Sequence, residues 1–475
     1  MLKPLLKLSK KTLSVLLAII LSFLLLAGAA YAADEPVAID VTIAAPSTGP
    51  SDWALSELLD AEALGILPTN WEYTATLPVS AAQATEMLTV FMAKIAALEL
   101  KPVADNASSA SLTVTAETIS RGDWLELIYA QIISYEFPFE LTATQGMVDF
   151  MAEINVLRGV GGGIVGYQLE RECTVQEALL FAVRAVSFVY DSTGQSSQGL
   201  LWRASDSDTS VYLLGTIHLG AANIYPFSND LRNIITRADA AFFEVDFANI
   251  EGMAYYAANS MYNDGTTLKD HIKPELYQLV TDIYAEFGVT EDMFLPFRPW
   301  AIAGEISNLS FYKDVSDPNA MPMVIDVYVY YKALLAGVLI GEIEGYAYQT
   351  DLFNSMSDEM MADYLASSVE AFYYEGTDDE LASYSETMQA VLHFWQKRDV
   401  ESFLTVFPKD DVDDELSKLL FEERDEHMAA FVQELLDGEG GTYLIVVGAG
   451  HMIGDAGIVQ RLLDAGYTAE LVLVQ

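Results

Sequence analysis

Tyr212-Leu213-Leu214-Gly215-Thr216-Ile217-His218 and Leu444-Ile445-Val446-Val447-Gly448-Ala449-Gly450-His451 are the two stretches that decide how this chain folds. Each is an apolar run of the kind that forms a buried strand, and each closes in Gly-x-x-His. The chain holds five histidines and 30 glycines in 475 residues. Chance would place a glycine three residues before a histidine roughly 0.3 times. Two matches, both ending a buried strand, point to a shared purpose. In open α/β sheets ligands gather beyond the carboxyl ends of the strands, which is where both imidazoles are expected.

Around these runs the C-terminal half reads as α/β. Residues 200–203 and 211–215 should pair as strands around the turn Ser205-Asp206-Ser207-Asp208. A helix is expected over 230–238 and a strand over 240–246. A long helical stretch follows over 252–435, broken near 296–299 and 317–322. One more strand is expected within 335–343, because Gly337-Val338-Leu339-Ile340-Gly341 is too apolar and Gly-flanked for a surface helix. The end reads as strand 443–447, helix 455–465 and strand 468–474. Strands that open and close a helical middle predict an α/β (α+β) domain over 200–475, with a central sheet and a large helical insertion.

Residues 51–190 read as a mostly helical domain with three similar helix starts. Ser80, Ser120 and Thr174 stand as N-caps before amphipathic runs that end near residues 95, 133 and 189, and Glu177 adds a capping box to the third. Residues 191–199, rich in Ser, Gln and Gly, read as a linker. Residues 33–50 read as a flexible lead-in. Residues 1–32 have the form of a signal peptide: Lys3, Lys7, Lys10 and Lys11, an apolar run over 13–26, and Ala30-Tyr31-Ala32 as cleavage site. An uncleaved anchor helix is the alternative. No later stretch looks membrane-spanning.

The net charge is −45, and loss of the four leader lysines takes it to −49. Such a surface disfavours nucleic acid and anionic membranes, and it attracts divalent cations and basic partners. With 52% apolar residues the chain can still bury large cores. The single cysteine, Cys173, permits no disulfide within the chain, and its apolar neighbours predict a buried, inert thiol.

Four strand ends carry side chains able to bind a metal: His218, Glu244 with Asp246, Glu342 with Glu344, and His451. Imidazoles and carboxylates are natural ligands of zinc, manganese or cobalt. Glu244 follows apolar residues, so a buried carboxylate there needs a partner. No Gly-x-Ser-x-Gly elbow, His-Glu-x-x-His helix or Walker loop competes.

Residues 200–475 resemble the TraB/GumN family, which includes the Tiki-type membrane metallopeptidases. The resemblance rests on Leu201-Trp202-Arg203, Tyr212 to His218, Tyr225-Pro226, Ala238-Asp239, Glu244-Val245-Asp246 and Arg298-Pro299-Trp300. It continues through Ile325-Asp326, Ile343-Glu344-Gly345 with Gln349, Glu423-Arg424-Asp425, Val446 to His451, and Gly466-Tyr467. Val324, Gly345 and Asp425 depart from the family's usual Gly, Thr and Asn. The resemblance implies a peptidase-like, metal-dependent hydrolase. His218, Glu244 and His451 would hold a divalent metal ion (manganese, cobalt or zinc). Glu244, Glu344, Arg424 and Arg298 would be catalytic groups, with Glu344 or Asp246 as base and Arg298 or Arg424 on the oxyanion. Substrates would be peptides or small molecules. The alternatives are a non-catalytic protein that sequesters a peptide pheromone, and an esterase-like hydrolase of a small substrate. Residues 51–190 resemble S-layer homology repeats, with Arg121 after the cap in the middle repeat. The leader implies a secreted protein, and that resemblance implies association with cell-wall polysaccharide.

Overall fold

The computed structural model describes residues 48–103, 117–137, 146–159, 166–218, 220, 223–312, 323–373, 384–407 and 415–473. The leader, nearly all of the lead-in, and the break expected at 317–322 lie outside the described residues.

The expected strands form one six-stranded sheet in the order β4-β3-β5-β2-β1-β6. They are β1 (Leu200–Ser205), β2 (Thr209–Thr216), β3 (Ala240–Phe243), β4 (Leu339–Glu342), β5 (Gly441–Gly448) and β6 (Thr468–Leu471). β1 and β2 form a hairpin with Leu201 opposite Leu214. Its turn is held by Asp206, whose carboxylate accepts from the backbone N–H groups of Asp208 and Thr209. β2, β5, β3 and β4 run parallel, with Thr216 opposite Gly448, Phe243 opposite Val446 and Phe243 opposite Glu342. Four carboxyl ends therefore share one edge of the sheet. Leu213, Leu214, Leu444, Ile445 and Val447 are fully buried, as expected for central parallel strands. Each such aliphatic side chain contributes about 1.5–3 kcal/mol of hydrophobic stabilisation.

Among the helices, in chain order, are α1 (Leu55–Ala63), α2 (Ala81–Ala96), α3 (Arg121–Ile132), α4 (Val175–Ser192), α5 (Asn229–Arg237), α6 (Pro274–Glu286), α7 (Pro299–Tyr312), α8 (Ile325–Ala336), α9 (Gly345–Asn354), α10 (Asp358–Tyr373), α11 (Tyr384–Lys397), α12 (Glu423–Leu436), α13 (Ala449–Met452) and α14 (Ile458–Asp464). The break expected near 296–299 is real: α7 begins at Pro299, which tolerates the first helical position because its missing N–H would be unpaired there anyway. Gly337, in the left-handed region at φ 83°, ends α8 before β4. None of the described helices is long and apolar enough to cross a membrane.

Among the described residues, those from 48 to 197, with 220 and 223–233, make one compact unit; those of 198–218 and from 234 onward make the other. In the first unit the three anticipated N-caps form. Ser80, Ser120 and Thr174 accept from the backbone N–H groups of Gln83, Asp123 and Glu177, each worth about 1 kcal/mol. The three helix starts are joined by backbone bridges Pro78–Thr174, Ser80–Thr118 and Ser120–Glu172. Trp124 is fully buried and donates its indole N–H to the Ala178 carbonyl. Cys173 is buried, and burial pushes its thiol pKa up. Within 191–199, Asp191 and Ser192 complete α4, while Ser196 and Ser197 are buried. The Ser197 hydroxyl donates to the Ile224 carbonyl.

Candidate active site

The shared sheet edge gathers four of the side chains that the sequence singles out. His218 lies two residues past β2 and His451 three residues past β5. Glu244 directly follows β3. Glu344 comes two residues after β4 and is set beside Glu244 by backbone bonds. The N–H groups of Glu344 and Gly345 both donate to the Glu244 carbonyl, at 3.1 and 2.9 Å.

Glu244 is the hub. Its Oε1 accepts the Gly448 backbone N–H at 2.8 Å. Its Oε2 accepts from Arg424 Nη2 at 2.8 Å and from Gln349 Nε2 at 3.0 Å. Arg424, from α12, also clamps Glu344 through Nε at 2.7 Å and Nη2 at 2.6 Å. Burial works to raise the Glu244 pKa. Arg424, then His451 and His218, then the Gly448 N–H outweigh it and hold the carboxyl below its usual range. Burial likewise opposes the Arg424 charge, but Glu344 and Glu244 keep the guanidinium firmly protonated.

Both imidazoles are fixed through Nδ1 by a carboxylate. His218 Nδ1 lies 3.0 Å from Asp326 Oδ1, which also accepts the Thr216 hydroxyl at 2.6 Å. His451 Nδ1 lies 2.6 Å from Asp425 Oδ1. An ionised carboxylate only accepts, so each Nδ1 carries a proton, and each Nε2 presents a lone pair once its ring is neutral. The Nε2 of His218 is buried with no hydrogen-bond partner, 3.8 Å from Glu244 Oε1. Burial lowers the His218 pKa, but Asp326 and then Glu244 outweigh it, Arg424 opposing, and the net shift is upward.

The first turn is locked from behind. The Trp395 indole N–H donates to the Gly215 carbonyl at 2.7 Å. A Cβ on Gly215 would meet Ala449 Cα at 3.0 Å, so the glycine lets the two turns pack against one another. His451 is covered by Phe421, ring centroids 5.1 Å apart.

Arg298 stands elsewhere. Its guanidinium carbon lies 4.8 Å over the Tyr262 ring, and its backbone N–H donates to the Ser260 carbonyl. Asp246 also turns away, its carboxylate taking the Tyr330 hydroxyl and the Ala248 N–H. Glu344 is in the centre but fully engaged by Arg424 and Gln349. Two residues had no role assigned from sequence alone. Asp326 appeared only inside a motif, and Asp425 only as a departure from Asn next to Arg424.

The donor chemistry fits a divalent cation in part. Of the side chains named around the centre, four are carboxylates and one is a guanidinium, so with both imidazoles neutral a cation would offset an excess of buried negative charge. A carboxylate on the Nδ1 side with Nε2 open is the usual second sphere of a metal-binding histidine. His218 Nε2 and Glu244 Oε1 supply two donors. Among the described residues no group of three His, Cys, Asp or Glu side chains is already drawn together to hold a metal ion.

A family model, described as the TraB/PrgY/gumN family, matches residues 200–471, and the chain belongs to this family. Neither a curated protein nor a solved structure matches the chain.

Proposed function

Given that membership, we propose that this chain is a peptidase-like, metal-dependent hydrolase centred on His218, Glu244 and His451. The observation that carries the reading is the buried, unpartnered Nε2 of His218, aimed by Asp326 and 3.8 Å from Glu244. A buried nitrogen lone pair without a partner is costly unless a ligand or a proton uses it. A divalent ion (manganese, cobalt or zinc), held by His218, Glu244 and His451, would lower the pKa of a bound water.

The chain's own residues do the rest. Asp326 and Asp425 keep both imidazoles in one tautomer. The Gly448 N–H, Gln349 and Arg424 orient Glu244 and keep it ionised. Glu244 Oε1, 3.8 Å from His218 Nε2, is the carboxylate oxygen that would hold the ion together with that imidazole. Arg424 holds Glu344 and Glu244 at a fixed spacing and balances their charge. The test is cleavage of a peptide library by the mature protein with each metal added, beside Glu244→Gln. Cleavage lost in the variant supports the reading. Peptide binding without cleavage points to sequestration, and cleavage of esters alone to the esterase alternative.

In this reading the chain is exported by its leader, and the helical unit keeps it at the wall. What supports retention is a groove of about 310 Å3 lined by Trp53, Arg121, Arg158, Glu177, Phe181 and Arg184, where Arg158, paired with Glu57, stays largely open to solvent. Trp53 is 63% exposed there, a platform for a sugar ring. Co-sedimentation with cell-wall preparations should fall for Trp53→Ala and Arg158→Ala. Equal sedimentation of both variants would remove the wall role.

A further inference from the structure

Helices α6 and α10 flank a groove of about 600 Å3 that supplies nothing to the centre above. Its floor is apolar. Ala362, Ala366, Val369 and Tyr373 recur on one stripe of α10, and Leu276 and Leu279 face them from α6. The stripe is about 16 Å long at the helical rise, roughly three turns. The two alanines give the groove depth. Leu279 and Tyr373 are 41% and 42% exposed.

The rim is acidic. Glu275, Asp363 and Glu370 border the groove. Asp282 and Glu286 lie within electrostatic reach of Tyr373 at one end. One cation, Lys273, stands against these five carboxylates. Glu275, Asp363, Glu370 and Glu286 form no ion pair among the described residues. Asp363 and Glu370 are two turns apart, so they present charge along one side of the stripe. An apolar floor of helical length between uncompensated carboxylates is the complement of one kind of surface, an apolar helix face bordered by cations.

We propose that this groove docks a basic amphipathic helix of a partner protein, its apolar residues at i, i+4 and i+7 entering the groove and its Lys or Arg side chains meeting the rim. This is independent of the hydrolase reading.

The test uses the full chain and a fluorescent 14-residue Leu/Lys peptide with one apolar face. Two controls are a shuffled peptide of the same composition and a Leu/Glu counterpart. Anisotropy should show binding of the amphipathic Lys peptide alone. Leu279→Glu should weaken it about tenfold, the loss of one well-buried aliphatic contact. Glu370→Lys should weaken it about fivefold. Glu251→Lys, an exposed acid outside the groove, should change it less than twofold. Both groove positions are exposed, and circular dichroism melts confirm that the variants fold. Equal binding of the shuffled peptide would overturn the proposal, as would equal affinity of all three variants. Either result would trace the attraction to the net charge of −45 alone.

Discussion

His218 stands in the left-handed region at φ 48°, whereas His451, after the neighbouring parallel strand, lies in the single turn of α13. The two turns share Gly-x-x-His and reach the same chemical result by different backbones. His218 takes its carboxylate from α8, and the Thr216 that shares it is 110 residues away in sequence. His451 takes its carboxylate from α12, 26 residues away. A non-glycine residue in the left-handed region costs about 1 kcal/mol or more, so the surrounding structure must hold His218 there. What the two turns have in common is therefore not a backbone shape. It is an imidazole with Nδ1 tied to a buried carboxylate and a ring whose charge bears on Glu244.

The largest expected effect tests whether the turns are equivalent. His218→Ala and His451→Ala should each lower peptide hydrolysis by about 10²–10⁴-fold. The double variant should be little worse than the poorer single one, because residues acting as a unit are not additive. A silent variant would break the equivalence. Next, Asp326→Ala and Asp425→Ala should each cost about 10–100-fold in activity or metal affinity, the range for residues that orient a metal-binding histidine. Unequal losses would show which turn does more.

Smaller effects separate the packing of the two turns. Gly215→Ala drives a Cβ to 3.0 Å from the Ala449 Cα, and backbone yields little. Urea titration should show a loss of about 1–3 kcal/mol. Gly450→Ala meets ring carbons of Phe421 and Phe407 at 2.8 and 3.1 Å, and rings can turn, so its loss should be smaller. The least effect is on the pH profile of stability. The His218 pKa is raised on folding, so its stabilising contribution is full below about 6.5 and fades as pH rises through the folded value. With chelator present, the stability gap between wild type and His218→Gln should shrink from pH 6 to pH 9. A gap that widens would mean the imidazole is buried neutral.

Much of this was legible in the sequence. Every strand of the sheet follows from apolar runs bounded by Gly or turn residues, and the parallel edge follows from strands separated by helices. His218, Glu244, Glu344 and His451 are visible because each lies within three residues of the end of such a run. Asp326 and Asp425 are not. They are two of 69 acidic residues, both on helices, and only the tertiary fold shows which acids reach an imidazole. Arg298 shows the converse. Its Arg-Pro-Trp motif stands out in the sequence, yet its guanidinium lies over Tyr262, because its backbone is tied to Ser260 at the start of α7. Ser197 shows a further limit. Its polar surroundings read as linker, yet its hydroxyl is buried on the Ile224 carbonyl.

The most direct test of the central claim is peptide-library cleavage by the mature protein with manganese, cobalt or zinc, in wild type, His218→Ala and His451→Ala side by side. The account predicts metal-stimulated cleavage by the wild type and loss in both variants. Cleavage that survives in either variant, or none by the wild type with any of the three metals, would contradict it.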